Sequence, residues 1–248
     1  MTPIFAVGSG STAARILVGK RALVSFAYVG TRWLPESRLA KLRAACAGLV
    51  LDSGAFTAWQ KGTAIDIAEH TAFVAERHAE FEWCAALDAI GDAAASLANW
   101  RRQRSELASD VRLVPVFHEG EDFEILDEYV AAAPLIGLGR TKGRKSVDAT
   151  FDWYDDVFNR YPLGKFHAFG NGSPENLEPY PFVSFDCTTW ERNSTYGGKH
   201  RWPWSRCTKE TCMRAYIEAF ETVTYRPRAH GRQLSLPEGA AQVEELAS

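Results

Sequence analysis

The chain is poor in cysteine and has no long apolar run. Its 248 residues include five cysteines, an odd number scattered along the chain, which argues against a disulfide framework and favours a reducing compartment. No stretch approaches the ~20 apolar residues that a membrane span needs, and the N-terminus lacks a basic segment followed by a long apolar one. These absences predict a soluble, cytoplasmic protein with no membrane partner.

Two motifs are also missing. No Gly-x-Gly-x-x-Gly follows the first apolar run, which weakens the nucleotide-binding version of a doubly wound fold. No His-x-His or similarly dense ligand motif occurs, which counts against a metal-dependent hydrolase. What the chain does have is enough apolar material for a full core, with 46% hydrophobic and 24% charged residues and no compositional sign of disorder.

Short apolar runs alternate with longer helical patterns along most of the chain. The expected strands are 3–7, 23–29, 49–56, 83–89, 112–118, 135–140, 166–170 and 182–188. The expected helices are 12–18, 35–47, 65–81, 93–109, 123–132 and 146–161, with a final helix from 207 or 208 to 223. Eight strand-helix units in about 250 residues predict an α/β fold, a (β/α)8 TIM-like barrel, with a doubly wound open sheet as the alternative.

The domain organisation follows from this pattern. Residues 1–226 are expected to form a single barrel domain that ends in a basic, aromatic C-terminal extension with the last helix. Residues 227–248 are rich in small and polar side chains and are expected to form a mobile tail.

Three of the expected strands end in an aspartate: Asp52, Asp88 and Asp186. A carboxylate at the end of a buried apolar run is costly unless it has a partner or a function. In barrels the chemistry lies at the C-terminal ends of the strands, so the three carboxylates are predicted to share one site. The alternative is that each aspartate only caps the following turn or helix, as Asp52 could do before Ser53 and Gly54.

Five motifs suggest a family. DSGAF at 52–56, PVFHEG at 115–120, IGLG at 136–139, HAFGNGSPENL at 167–177 and FDC at 185–187 occur in the order expected of the tRNA-guanine transglycosylases. The chain resembles that superfamily over roughly residues 45–200. It is much shorter than the tRNA enzymes and looks more similar to the phage and bacterial relatives that insert 7-deazaguanine bases into DNA.

The resemblance implies roles for particular residues. Asp186 matches the nucleophile that attacks C1′ of the sugar, Asp52 the carboxylate that contacts the base and helps move protons, and Asp88 the one that reads the guanine edge. The other residues that the resemblance assigns to the base are Phe56 and Phe169, which sandwich it, His118, where the family commonly has Gln, Gly170 beside Phe169, and the strand-end backbone of Gly137, Leu138 and Gly139, near the substituent on the deazapurine ring.

This chemistry explains the residue types. Base exchange with retention at C1′ needs one ionised carboxylate as nucleophile and a second group to manage the protons of the leaving and entering purines. Guanine presents N1–H and a 2-amino group as adjacent donors, which one carboxylate can accept together, whereas adenine lacks that pair. The incoming substrate would be a free 7-deazaguanine such as 7-cyano-7-deazaguanine, and no metal or redox cofactor is required.

The basic charge is concentrated late in the chain. The segment 190–232 contains nine Lys or Arg against four Asp or Glu, interleaved with tryptophan and tyrosine. Cations can bind phosphates and aromatic rings can stack on unpaired bases, so two patches are predicted to bind nucleic acid. They are Arg140, Lys142, Arg144 and Lys145 in the first, and Arg192, Lys199, Arg201 and Arg206 in the second. Ordinary solvated surface is the alternative for each.

The tRNA enzymes carry a zinc site of three Cys and one His after the last strand. Here only Cys207 and Cys212, with His200 nearby, occupy that region, so a structural zinc is the less favoured alternative to buried thiols on a helix.

The leading hypothesis is a pentosyltransferase that replaces guanine in DNA with a 7-deazaguanine derivative, in the host cytoplasm if a phage encodes it. The alternatives are the same chemistry on tRNA, a non-catalytic nucleic-acid-binding barrel subunit, and a metal-dependent barrel hydrolase whose ligands are the aspartates and His118. A homodimer, as among many relatives, is left open.

Overall fold

The structure is a computed structural model and describes residues 1–8, 12–139, 147–171, 173–191 and 208–227. Its strands are β1 Thr2–Ala6, β2 Arg21–Ser25, β3 Gly48–Asp52, β4 Cys84–Ala85, β5 Leu113–Val114, β6 Val116–His118, β7 Ile136–Gly139, β8 Phe166–Ala168 and β9 Ser184–Cys187. Its helices are α1 Ala13–Ile16, α2 Glu36–Ala45, α3 Ala55–Gln60, α4 Ile67–Arg77, α5 Ala93–Glu106, α6 Phe123–Ala132, α7 Val147–Arg160, α8 Pro174–Leu177 and α9 Lys209–Glu221. Short 3-10 turns span Phe26–Tyr28 and His78–Glu80.

All paired strands are parallel and form one sheet in the order β5-β4-β3-β2-β1-β9-β8-β7-β6. The two ends of this order, β5 and β6, are consecutive in the chain and are separated only by Pro115. The N–H of Ala86 donates to Val114 O on one side of the proline (2.8 Å), and the N–H of Gly137 donates to Pro115 O on the other (2.9 Å). The sheet is therefore nearly closed and barrel-like.

Each of the eight expected strand segments overlaps with an observed strand, and the fifth is split at Pro115 because proline has no N–H to donate to the ladder. Neighbouring strands follow one another around the sheet without the reversal of order that a doubly wound sheet requires, so that alternative is wrong.

Two apolar layers surround the strands. Side chains on one face pack inside the sheet: Ile4, Ala6, Leu23, Val50, Trp83, Ala85, Val114 and Val116. Their neighbours along the strands, such as Leu49 and Leu51, belong to the larger core that includes the helices. Side chains alternate along a strand, so Asp52, two residues after Val50, faces the interior of the sheet as Val50 does.

The helix predictions were accurate in position, and 123–132 was correct at both ends. The expected strand 49–56 was too long, because the chain leaves β3 at Asp52 and begins α3 at Ala55. Gly54 makes this turn with φ +81, and a Cβ there would lie 2.7 Å from the backbone N of Ala27. Both the left-handed backbone and the close approach require glycine.

Of the expected tail 227–248, all but residue 227 lies outside the described residues. Across the described ranges, none of the helices combines the length and the apolar character needed to cross a membrane.

Candidate active site

The three aspartates lie at the carboxyl ends of their strands. Asp52 is the last residue of β3, Asp88 follows β4 by three residues, and Asp186 is the third residue of β9. In β9, Phe185 and Cys187 belong to the outer core, so Asp186 between them faces the interior. Ser53, the residue after Asp52, donates to Asp88, and the charges of Asp88 and Asp186 both raise the pKa of Asp52, as expected of three neighbouring carboxyl groups.

Asp186 is buried, and one of its oxygens is held by two donors. Oδ1 accepts the backbone N–H of Gly170 at 2.8 Å and lies 3.3 Å from Nε2 of His167. Among the described residues no group donates to Oδ2. One carboxylate oxygen is thus fixed in place and the other is available for chemistry.

His167 was not predicted as a site residue. It is fully buried, and its Nδ1 lies 2.8 Å from Oγ of Ser184, two residues before Asp186 on the same strand. If the hydroxyl donates to Nδ1, the neutral imidazole carries its proton on Nε2 and donates it to Asp186. The alternation of β8 could have indicated this position, since His167 is inward when Phe166 and Ala168 are outward.

Aromatic side chains enclose this side of the site. The ring of His167 meets Phe169 edge-on at 4.5 Å between centroids and Trp83 at 5.0 Å. The Phe169 ring lies across β7 at Gly137, where a Cβ would approach Cε2 of the ring to 2.2 Å. Gly137 is therefore required by the position of Phe169.

Asp88 has a different set of partners, and both of its oxygens are engaged. Oδ1 accepts the Ser53 hydroxyl at 2.7 Å, and Oδ2 lies 3.1 Å from Nε2 of His118. The other ring nitrogen of His118, Nδ1, lies 3.1 Å from Oε1 of Glu121, whose Oε2 accepts the backbone N–H of His118. His118 thus lies between two carboxylates, and the role of Glu121 was not predicted.

This arrangement changes the charge of His118. Burial alone would lower its pKa, but the hydrogen bonds and charges of Asp88 and Glu121 outweigh burial and raise the pKa from 6.5 to about 9. His118 is therefore an imidazolium at neutral pH, with one N–H directed to each carboxylate. Gly139 leaves room for it, because a Cβ there would lie 2.6 Å from Cδ2 of the ring.

Leu138, between the two glycines, faces the outer core, and its carbonyl accepts the N–H of Phe169 at 3.0 Å. The side chain of Leu138 is thus directed away from the site, which leaves only its backbone at the inner face.

Side chains of α5 hold the segment that carries Asp88. β4 is only two residues long, and beyond Ala86, whose N–H donates to Val114 O, the backbone is bonded to side chains. The N–H of Leu87 donates to Oε1 of Gln103 (2.8 Å), its carbonyl accepts Nδ2 of Asn99 (3.1 Å), and the N–H of Ala89 donates to the Ser96 hydroxyl (2.9 Å). Residues 96, 99 and 103 share one helix face. Gln103 is held in turn by His70, whose pKa burial lowers to about 4, against the opposing effect of Asp88.

Among the described carboxyl groups, Asp52 has the pKa that is raised most. Burial raises its pKa from 3.8 to about 7, and the charges of Asp88 and then Asp186 act in the same direction. The nearby hydroxyl of Ser25, which pairs with Asp52 across β2 and β3, and the N–H of Gly54, which donates to Oδ2 at 3.1 Å, offset part of the rise. Asp52 can therefore both give and take a proton near neutral pH.

Phe56 lies on α3, four residues after Asp52, and is half-buried. Its ring lies 5.9 Å from that of Trp59, one turn further along the helix. The sandwich of a base between Phe56 and Phe169 stays a prediction.

Several predicted residues lie outside the described residues. They are both basic patches, Arg140, Lys142, Arg144 and Lys145 with Arg192, Lys199, Arg201 and Arg206, and also His200 and Cys207. Cys212 lies on α9 and is disulfide-bonded, so its interpretation as a thiol is wrong. In the described part of the chain, no three His, Cys, Asp or Glu side chains are grouped so that they could hold a metal ion.

Comparison of the chain with models of protein families and with curated proteins finds no match. The site itself combines a carboxylate with one available oxygen, a second carboxyl group that titrates near pH 7, and a third that is paired with a cation. This combination suits nucleophilic substitution coupled to proton transfer.

Proposed function

We propose that this protein is a TIM-like (β/α)8 barrel transglycosylase that exchanges guanine in DNA for a 7-deazaguanine base through a covalent Asp186-sugar intermediate. The observation that carries the proposal is that three neighbouring carboxyl groups have different surroundings, each suited to a different role. Asp186 has an available oxygen, Asp52 has a pKa of about 7, and Asp88 is joined to a protonated histidine. The order of the five motifs supports the same conclusion.

In the first step Oδ2 of Asp186 would form a bond to C1′ as the C1′–N9 bond breaks. The electron pair of that bond leaves with guanine, which takes a proton from Asp52. In the second step the incoming base returns a proton to Asp52, its N9 attacks C1′, and the bond to Asp186 breaks. Two substitutions at C1′ give net retention, and Asp52 ends as it began.

The pair of His118 and Asp88 supports recognition of guanine. The Watson–Crick edge of guanine presents an acceptor, O6, followed by two donors, N1–H and the 2-amino group. Oδ2 and Oδ1 of Asp88 are two adjacent acceptors for the two donors, and the Nε2–H of His118, which is directed to Oδ2, keeps the carboxylate ionised. Each carboxylate oxygen has two lone-pair directions, so the internal bonds from Ser53 and His118 leave capacity for the base. Adenine, with a donor and an acceptor in the first two places, does not match.

A 7-deazaguanine has the same edge as guanine and differs at position 7, so one pocket would accept both the leaving and the entering base. The target base must leave the stack or already be unpaired, because the carboxylates lie inside the end of a barrel-like sheet.

The test is to incubate the protein with guanine-containing DNA and labelled 7-cyano-7-deazaguanine, then to measure the label in DNA and map the trapped protein-DNA adduct by peptide mass spectrometry. The expected result is incorporation of label, with the adduct on Asp186. A matched control is Asp127→Asn, because Asp127 lies on the surface in an ion pair with Arg160. Labelling of tRNA alone would refute DNA as the substrate, and incorporation by Asp186→Asn at the wild-type rate would refute the nucleophile.

A further inference from the structure

Large exposed apolar side chains are distributed unequally between the two ends of the sheet. Among the described residues, the exposed aliphatic ones precede strands and lie in helix-to-strand connections, at the end opposite the carboxylates: Val18, Leu163 and Val183. The two tryptophans that are exposed in the described part of the chain follow strands and lie at the carboxylate end. Trp33 is 40% exposed in the connection from β2 to α2, and Trp59 is 51% exposed on α3.

The two tryptophans belong to one continuous surface. The turn at 26–28 packs against α3, and Gly54 at the start of that helix approaches the backbone of Ala27. Lys61, just after α3, places Nζ 5.0 Å from the ring centre of Tyr28 and so joins the helix to the β2 connection. We call this surface, formed by residues 28–33 and 56–61, the aromatic rim.

The aromatic rim carries cations beside its rings. The guanidinium of Arg32 lies 4.7 Å from the ring centre of Trp33, and Arg38 donates to the carbonyl of Trp33. The connection from β2 to α2 contains no carboxylate, and Glu36, the first residue of α2, is paired with Arg77. The rim therefore presents tryptophan rings together with positive charge, directly beside a site whose own carboxyl groups are acidic.

The rim is also continuous with the site. Phe56 and Trp59 lie one turn apart on the same face of α3, with their rings tilted by 33°. A strand whose target base reached Phe56 would bring the next nucleotide toward Trp59. Stacking on exposed rings with neighbouring cations on the phosphates is how proteins bind unpaired nucleic acid without reading its sequence.

We propose that the aromatic rim binds the unpaired nucleotides that flank the target base, with Trp33 and Trp59 as stacking platforms and Arg32 and Lys61 as phosphate contacts. The choice of occupant rests on the proposed function. The proposal is based on the position of Trp33 and Trp59 at the carboxylate end and on the cations beside them.

The test uses a guanine-free probe, an oligothymidine of about 12 nucleotides, so that binding does not depend on base exchange. Binding is measured by fluorescence anisotropy of the labelled probe at low salt. Trp59→Ala and Trp33→Ala are each expected to weaken binding about 5- to 150-fold, since a stacked base contributes ~1–3 kcal/mol. Trp59→Phe should recover part of the loss. Lys61→Ala should lower the slope of log K against log salt by about 0.7.

Leu163→Ala is the matched control, because Leu163 is 70% exposed at the opposite end. Wild-type affinity in both tryptophan variants, or no binding by the wild type, would overturn the proposal. So would tryptophan variants that change the mass of the protein in solution but not its affinity, since the rim would then be a contact between two copies. The protein could also bind oligothymidine through the tryptophans and yet exchange no base in guanine-containing DNA. That result would refute the proposed function but would support the aromatic rim as a binding surface for unpaired nucleotides.

Discussion

Asp186 and Asp88 occupy comparable places at the ends of strands, yet their surroundings differ. Asp186 is held through one oxygen by a backbone N–H and a histidine that is itself bound to a serine. Asp88 is held through both oxygens, by a hydroxyl and by an imidazolium that a second carboxylate also binds. The first arrangement leaves an atom available for attack, and the second builds a hydrogen-bonding edge. The same residue type is thus suited to chemistry in one place and to recognition in the other.

The largest effect is expected for Asp186→Asn, which removes the nucleophile and keeps the shape. Base exchange should fall on the order of 10⁴-fold, as when other enzymes lose a nucleophile, and no adduct should be trapped. Single-turnover labelling of DNA measures it. Oligothymidine binding should stay unchanged, and a comparable loss of that binding would mean that the variant is misfolded.

Asp52 is influenced by the charges of both Asp88 and Asp186. Asp52→Asn should lower the rate of base exchange about 10²- to 10⁴-fold, because the group that carries the proton is lost. The same substitution should increase the stability of the fold at neutral and higher pH. The pKa of Asp52 is raised to about 7, so its contribution to stability is complete below pH 4 and is lost as the pH rises through 7.

Asp52→Asn should therefore unfold like the wild type at pH 4 and be more stable at pH 8, by about 4 kcal/mol. Urea unfolding at the two pH values checks this. In addition, Asp88→Asn should lower the pKa of Asp52 more than Asp186→Asn does, since the Asp88 charge acts on it more strongly. If the wild type and Asp52→Asn had equal unfolding curves at pH 8, the pKa of Asp52 would not be raised in the folded protein.

Substitutions of His118 test the proposed role of Asp88 and His118 in recognising the base. Its pKa is raised from 6.5 to about 9, so the stability that its ion pairs provide is fully present below pH 6.5 and is lost as the pH rises through 9. His118→Phe should cost about 3 kcal/mol at pH 6, since two buried carboxylates lose their cation, and distinctly less at pH 10. Thermal unfolding across this range measures it.

His118→Gln keeps a donor and should retain preference for guanine over adenine, whereas His118→Phe should reduce that preference. Competition between the two free bases for the pocket measures it. A variant with Phe that still excluded adenine as the wild type does would show that His118 has no part in reading the base.

The smallest effects come from a matched pair of serines, one in each region. Ser53→Ala removes a donor to Asp88, and Ser184→Ala removes the partner of His167. Each substitution should change one kinetic parameter by about 3- to 10-fold, which corresponds to about 1 kcal/mol. Ser53→Ala should raise KM for the incoming base, and Ser184→Ala should slow adduct formation and alter its pH profile. If both variants changed the same parameter, the division between chemistry and recognition would be wrong.

Much of the framework was predictable because it depends on local patterns. Alternating apolar runs and helical periodicity located all eight strand segments, and the strand-end aspartates predicted a common site. The helix α3 was missed because a glycine with positive φ turned the chain earlier than the apolar pattern suggested.

The roles of His167 and Glu121 were missed for another reason, since each depends on a neighbour. His167 acquires its role from a serine and an aspartate on the adjacent strand, 17 and 19 residues away in the chain. Glu121 is only three residues after His118, yet nothing in that spacing predicts a charged histidine without Asp88 on the other side.

The sequence by itself determined which residues emerge from the core at the strand ends, because side-chain alternation along a strand is a property of the local chain. Only the tertiary structure decided what those residues are: a half-titrated Asp52, a protonated His118, and an Asp186 with one oxygen held and one available. Protonation depends on burial and on the charges a few ångströms away, and closure of the sheet brings those charges together from strands far apart in the chain.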